Sequence, residues 1–174
     1  IPKDAKVNLC LNGHSITKGN NDESDFDGVI TIGNGGTLSL CDCNGSKASN
    51  GKITHAEDKM GRGVRVGQSS SATFNMFGGE ISGNHAGETT DKQKQDGAGV
   101  HMQGGNFNMY GGKITDNYVD VAHNYGGGGV CMSGGSFTMY DGEISGNTSA
   151  KRGGGISSNS TVTINGGTIS GNTA

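Results

Sequence analysis

Residues 99–117 read GVHMQGGNFNMYGGKITDN, and residues 129–147 read GVCMSGGSFTMYDGEISGN. Laid over each other they share the frame G-V-x-M-x-G-G-x-F-x-M-Y-x-G-x-I-[ST]-x-N. Its apolar residues alternate, as in Val100-x-Met102 and Phe107-x-Met109, which is the period of a strand and not of a helix. Each apolar run is short and ends at Gly-Gly or Gly-Asn. Pieces of that length cannot bury a face alone. Stacked coil on coil they can, with hydrogen bonds running along the stack.

Further copies lie on both sides. Gly63–Asn84 is longer through Gln68–Ala72, and Gly155–Asn172 is one residue shorter near its first turn. Leu9–Thr17 matches the second half of the frame. Ile30-Thr31-Ile32, Gly35-Gly36 and Leu38-Ser39-Leu40 match the first half, before an insertion at Cys41–Gly51 and a return at Lys52-Ile53-Thr54. Val64, Val100, Val130 and Ile156 are separated by 36, 30 and 26 residues. Most of that variation falls between the Asn and the next Gly-Val, so insertions leave from one corner. The expectation is an all-β, single-domain parallel β-helix over residues 1–174, with about six coils and three short strands per coil.

The columns this stacking creates are chemically consistent. Val64, Val100, Val130 and Ile156 face inward, as do Phe74, Phe107, Phe137 and Val162. Outward, Lys52, Glu80, Lys113, Glu143 and Thr168 alternate in charge at a spacing of about 4.8 Å, where opposite charges attract and like charges would repel. Thr17, Thr54, Ser82, Thr115, Ser145 and Ser170 form a hydroxyl column. Asn84, Asn117, Asn147 and Asn172 recur at one corner, where an inward amide ladder would satisfy turn groups. A disordered glycine-rich linker would not generate such columns.

Composition narrows the function classes. Glycine supplies 35 of 174 residues and proline one, which excludes collagen with its three-residue period and abundant proline. The glycines recur at turns such as Gly104-Gly105 and Gly134-Gly135, where side chains would crowd a corner. No apolar run is long enough for a membrane span. The net charge of -3, with scattered Lys and Arg, gives no footprint for nucleic acid. The glycine runs Gly33–Gly36 and Gly126–Gly129 open no helix and precede no G-K-[ST], so they are turns and not phosphate cradles. Cys41 and Cys43, two apart on a strand, point the same way and read as two thiols rather than a bond to each other. Cys10 can pair with either.

Three pieces carry a family resemblance: Leu9–Ile16 (LCLNGHSI), Gly127–Val130 (GGGV) and Asn165–Ala174 (NGGTISGNTA). They resemble the right-handed, pectate-lyase-like β-helix repeats of large secreted or cell-wall proteins of anaerobic Gram-positive bacteria. The resemblance implies a right-handed coil, an extracellular or cell-wall location, and a segment of a longer surface protein. It implies an adhesin-like scaffold that binds a polysaccharide or host-surface glycan; the short apolar runs and the lack of a polybasic or amphipathic helix add the expectation of no membrane insertion. It does not license an enzyme assignment, since function resides in sites grafted on folds. The competing classes are a polysaccharide lyase or glycoside hydrolase and a pure structural spacer.

Candidate sites follow from the columns. Phe77, Tyr110 and Tyr140 each follow an inward Met, should point outward, and should stack as an exposed strip running on to Cys41 and Asn165. Such a strip suits sugar faces, and it also suits mutual shielding at a corner. The loops His85–Ala98, Tyr118–Gly128 and Thr148–Gly154 should project side by side, the middle one carrying Tyr118, His123 and Tyr125. Asp22, Asp25 and Asp27 make an oxygen-rich loop that could hold calcium, the one cofactor the sequence suggests, or be simply an exposed acidic loop. Arg65, His101 and Cys131 share an outward column, a solvated face or a thiol with a neighbouring base. Glu80 and Glu143 are the only carboxylates in one outward column, with Lys113 between them, which reads as a salt ladder rather than a glycosidase pair. The last coil is mid-pattern and uncapped, and end-to-end self-packing is expected.

Overall fold

The computed structural model describes residues 1–21, 28–43, 51–68, 71–88, 96–120 and 126–174. Among these, no helix forms, and the short alternating runs are stacked into parallel ladders. A leading sheet stacks Ile30–Ile32, Val64–Val66, Val100–Met102, Val130–Met132 and Ile156–Ser158. A middle sheet stacks Lys6–Cys10, Thr37–Cys41, Thr73–Met76, Asn106–Met109, Ser136–Met139 and Thr161–Ile164. A trailing sheet stacks Ile16–Lys18, Lys52–His55, Glu80–Ser82, Lys113–Thr115, Glu143–Ser145 and Thr168–Ser170.

The register is that of the repeat frame. Val64, Val100, Val130 and Ile156 pair in file. So do Phe74, Phe107, Phe137 and Val162, and so do Ile81, Ile114, Ile144 and Ile169. A slip by one residue would turn each of these side chains to the other face, so the inward columns lock the pairing. The three phenylalanines are fully buried and stack at 4.7 Å between centroids, with ring planes 12° and 16° apart. One cluster of Val, Ile, Leu, Met and Phe fills the space between the sheets.

The asparagine corner is a continuous amide ladder. Asn84, Asn117 and Asn147 are fully buried. The Nδ2 of each donates to the Oδ1 of the next, at 3.0 Å from Asn84 to Asn117 and 2.9 Å from Asn117 to Asn147 and from Asn147 to Asn172. Each Nδ2 also donates inward to the carbonyl of Ile53, Ile81 or Ile114. His55 Nδ1 lies 3.0 Å from Asn84 Oδ1 and starts the ladder. Because that oxygen only accepts, Nδ1 is the donor in this contact.

Two expectations are corrected. A coil carries a fourth strand. His85–Ala86, Tyr118–Val119 and Thr148–Ser149 form a separate parallel sheet at the corner where free loops were expected to begin. The Asn carbonyls cause this: Tyr118 N donates to Asn84 O and Thr148 N to Asn117 O, both at 2.9 Å, so pairing continues past the turn. Ala86 and Val119 then bury against Ala98 as a second small apolar cluster.

The outward face of the leading sheet, where a solvated surface was expected, is covered. Arg65 and His101 are 5% and 4% exposed, and Cys131 is fully buried. The glycine-rich stretches before Val100 and Val130 lie over His101 and Cys131. A Cβ on Gly97 would be 2.7 Å from Cys131 Cβ, and one on Gly127 would be 2.8 Å from it. Only glycine lets the backbone lie that close.

Candidate functional site

The trailing-sheet turns place three features side by side. The first is the charge ladder. Lys52 Nζ lies 3.3 Å from Glu80 Oε1, and Lys113 Nζ lies 2.8 Å from Glu143 Oε2. Hydroxyls from the next outward column brace the carboxylates: Ser145 Oγ donates to Glu143 at 2.6 Å and Thr115 Oγ1 to Glu80 at 3.3 Å. The hydrogen bond from Lys113, then that from Ser145, holds the Glu143 carboxyl below its ordinary value. The same bond raises Lys113. Both stay ionised across neutral pH, whereas a glycosidase acid needs its pKa raised.

The second feature is the aromatic column. Phe77, Tyr110 and Tyr140 are 53%, 41% and 46% exposed. They stack at 4.8 Å with ring planes 8° and 5° apart. The stacking covers both faces of Tyr110 and one face each of Phe77 and Tyr140. Along its length the column therefore presents ring edges and two phenol hydroxyls.

The third is a furrow of about 440 Å³, lined by Asp42, Gly78, Gly79, Gly112, Lys113, Gly142, Glu143 and Thr168. Its floor is low because the turn residues carry no side chains. The aromatic residues lie one or two positions before the glycines that line it. Asp42, a residue without an assigned role in the sequence reading, accepts hydrogen bonds from Gly13 N and Gly51 N at 2.7 Å each. Its carboxylate is thus an anchor for two turns, and the sole local cue was an Asp directly after a strand.

The other candidates are distributed differently. Tyr118, 42% exposed, stands on the corner sheet and stacks on His85 at 4.9 Å. His85 Nε2 lies 2.8 Å from Asp120 Oδ2. His123, Tyr125, Asp22, Asp25 and Asp27 lie outside the described residues. Cys10 is bonded to Cys43 rather than to Cys41, and Cys41 keeps a thiol.

Burial, then the nearby Arg62 and Arg65 guanidinium groups, push His101 well below its ordinary 6.5. His101 is therefore neutral in the fold at any pH near neutrality, and its Nδ1 has no hydrogen-bond partner among the described residues. The unfolded chain takes up a proton at this residue below about pH 6.5 while the folded chain does not, so stability falls as pH drops below that value. The slope from this residue is at most about 1.4 kcal/mol per pH unit. Denaturant midpoints at pH 7.5 and 5 should fall more steeply for the native chain than for His101→Gln. Parallel lines for the two proteins would show that His101 does not carry the effect.

Comparison with known proteins finds no matching family model, no matching curated protein and no matching solved structure. The site's chemistry must carry the functional reading.

Proposed function

We propose that this chain is a non-enzymatic, extracellular β-helix module of the adhesin-like kind that binds a polysaccharide or host-surface glycan along the furrow. The observation that carries this reading is a glycine-floored furrow lined by Asp42, Lys113 and Glu143, with the stacked aromatic column one or two residues before its glycines in the chain. Carboxylates accept hydrogen bonds from sugar hydroxyls, phenols donate and accept, and ring edges supply apolar contact. The features repeat with the coil, which suits a polymer of repeating units. A right-handed coil of about six turns is part of the proposal, supported by the strong right-handed preference of parallel crossovers. An oxidising compartment is supported by the Cys10–Cys43 disulfide.

The expected result on a glycan array is binding of a family of related polymers. Tyr110→Phe with Tyr140→Phe should weaken it about thirtyfold, since two hydrogen bonds of roughly 1 kcal/mol each are lost while the rings stay. Tyr110→Ala with Tyr140→Ala should abolish it. A blank array for the folded native chain would sink the reading and leave the spacer class.

A further inference from the structure

The aromatic column runs out at its lower end into sulfur. Cys10 and Cys41 are partners on adjacent strands of the middle sheet, each the last residue of its strand, and Phe77 directly follows the next strand up, Thr73–Met76. Cys43 follows two residues later, and its N–H donates to Cys10 Sγ at 3.0 Å. Cys41 Sγ and Cys43 Sγ are 3.7 Å apart, and all three sulfurs lie within 4.8 Å of one another. Among the described residues this is the one cluster of His, Cys, Asp or Glu side chains able to share an ion.

We propose that these three cysteines form a soft-metal site that is closed by oxidation: the Cys10–Cys43 disulfide is its metal-free form, and the reduced trithiolate binds a divalent thiophilic ion such as zinc or cadmium. The geometry fits the ion. Thiolates at about 2.3 Å from a tetrahedral zinc stand roughly 3.8 Å from each other, close to the Cys41–Cys43 separation. Two of the ligands are fixed by strand pairing and need no loop to gather them. The Cys43 N–H already aimed at Cys10 Sγ stabilises a thiolate there. Cys10 and Cys43 are exposed and Cys41 is half-buried, so an ion can enter, with water completing its shell. Sulfur ligands select zinc, cadmium or cuprous ions over calcium or magnesium.

The chemistry balances. Two equivalents of a low-molecular-weight thiol reduce the disulfide to two cysteine thiols and are themselves oxidised to one external disulfide. The three thiols then release three protons as one divalent ion binds. The site is independent of the glycan reading.

The test is a cadmium titration of the reduced, desalted chain, followed by sulfur-to-cadmium charge-transfer absorption in the ultraviolet and by native mass spectrometry. One ion per chain is expected for the reduced native protein and for Cys131→Ser, and none for the oxidised protein. Cys41→Ser should bind at least about tenfold more weakly. Equal binding by Cys41→Ser, or binding by the oxidised protein, would overturn the proposal. So would absence of the band in the reduced chain. Circular dichroism of the reduced protein guards against unfolding: if reduction loosens the chain, cadmium should restore the native spectrum, and failure to do so also counts against the site.

Discussion

Replacing Asn117 by Ala is expected to lower the unfolding free energy by about 3–4 kcal/mol, an unusually large loss for one polar residue. Asn117 Oδ1 accepts from Asn84 N at 3.2 Å and from Asn84 Nδ2 at 3.0 Å. Its Nδ2 donates to Ile81 O and to Asn147 Oδ1, each at 2.9 Å. The residue is fully buried, so water cannot take these places. Truncation strips an acceptor from the Asn84 backbone and a donor from the Ile81 carbonyl. Each buried polar group left without a partner costs about 1–3 kcal/mol. Asn172→Ala is the internal control. That residue is half-buried and makes the same kinds of bond downward only, so solvent can replace much of what is lost. Its expected cost is about 1 kcal/mol. Denaturant unfolding of the two variants decides the matter, and equal losses would mean that the ladder has no energetic role beyond its individual bonds.

Gly135→Ala should be comparably damaging for a different reason. Gly135 has φ +87, where an alanine is strained by about 1–3 kcal/mol. A Cβ there would overlap the carbonyl oxygen of Gly105 in the neighbouring coil and lie 2.7 Å from the carbonyl carbon of Gly104. That same Gly105 oxygen accepts the ladder bond from Ser136 N at 2.9 Å. Relieving the overlap by parting the coils therefore weakens the bond that joins them. A total loss of about 4 kcal/mol is expected. Gly171→Ala separates the two contributions. Gly171 has φ +62, and the nearest heavy atom to its added Cβ would be 3.9 Å away. It should cost only the conformational strain, about 1–2 kcal/mol. If both variants unfold at the same midpoint, the close approach between coils is not what requires the glycine.

The parts of this molecule that repeat were legible from the chain. Alternation placed Val100, Phe107, Met109 and Ile114 inside, and simple superposition of copies placed Lys113 between Glu80 and Glu143 and Tyr110 between Phe77 and Tyr140. What was not legible depends on a third dimension that a period cannot encode. Strands of two residues, such as Tyr118–Val119, hold no alternation to read. Alternation assigned Arg65, His101 and Cys131 to the outside of their strand, which is correct, but it says nothing of what covers that side. The cue lay in the runs Gly97-Ala98-Gly99 and Gly126–Gly129, small residues over which chain can lie flat against a neighbour. The stacking that makes the aromatic strip regular also hides its ring faces, so the candidate surface presents edges and hydroxyls to a ligand. The disulfide partner of Cys10 was open between two residues because both reach it from one short segment.

The amide ladder has a direction, and the direction bears on how the coils assemble. In every rung the backbone N–H of one Asn is satisfied by the side-chain oxygen of the Asn in the following coil: Asn84 by Asn117, Asn117 by Asn147, Asn147 by Asn172. A corner is therefore incomplete until its C-terminal neighbour docks. Folding of stacked repeats propagates between nearest neighbours. Here that propagation is lopsided. Each arriving coil delivers the acceptor its predecessor lacks, and so stabilises the turn behind it more than its own.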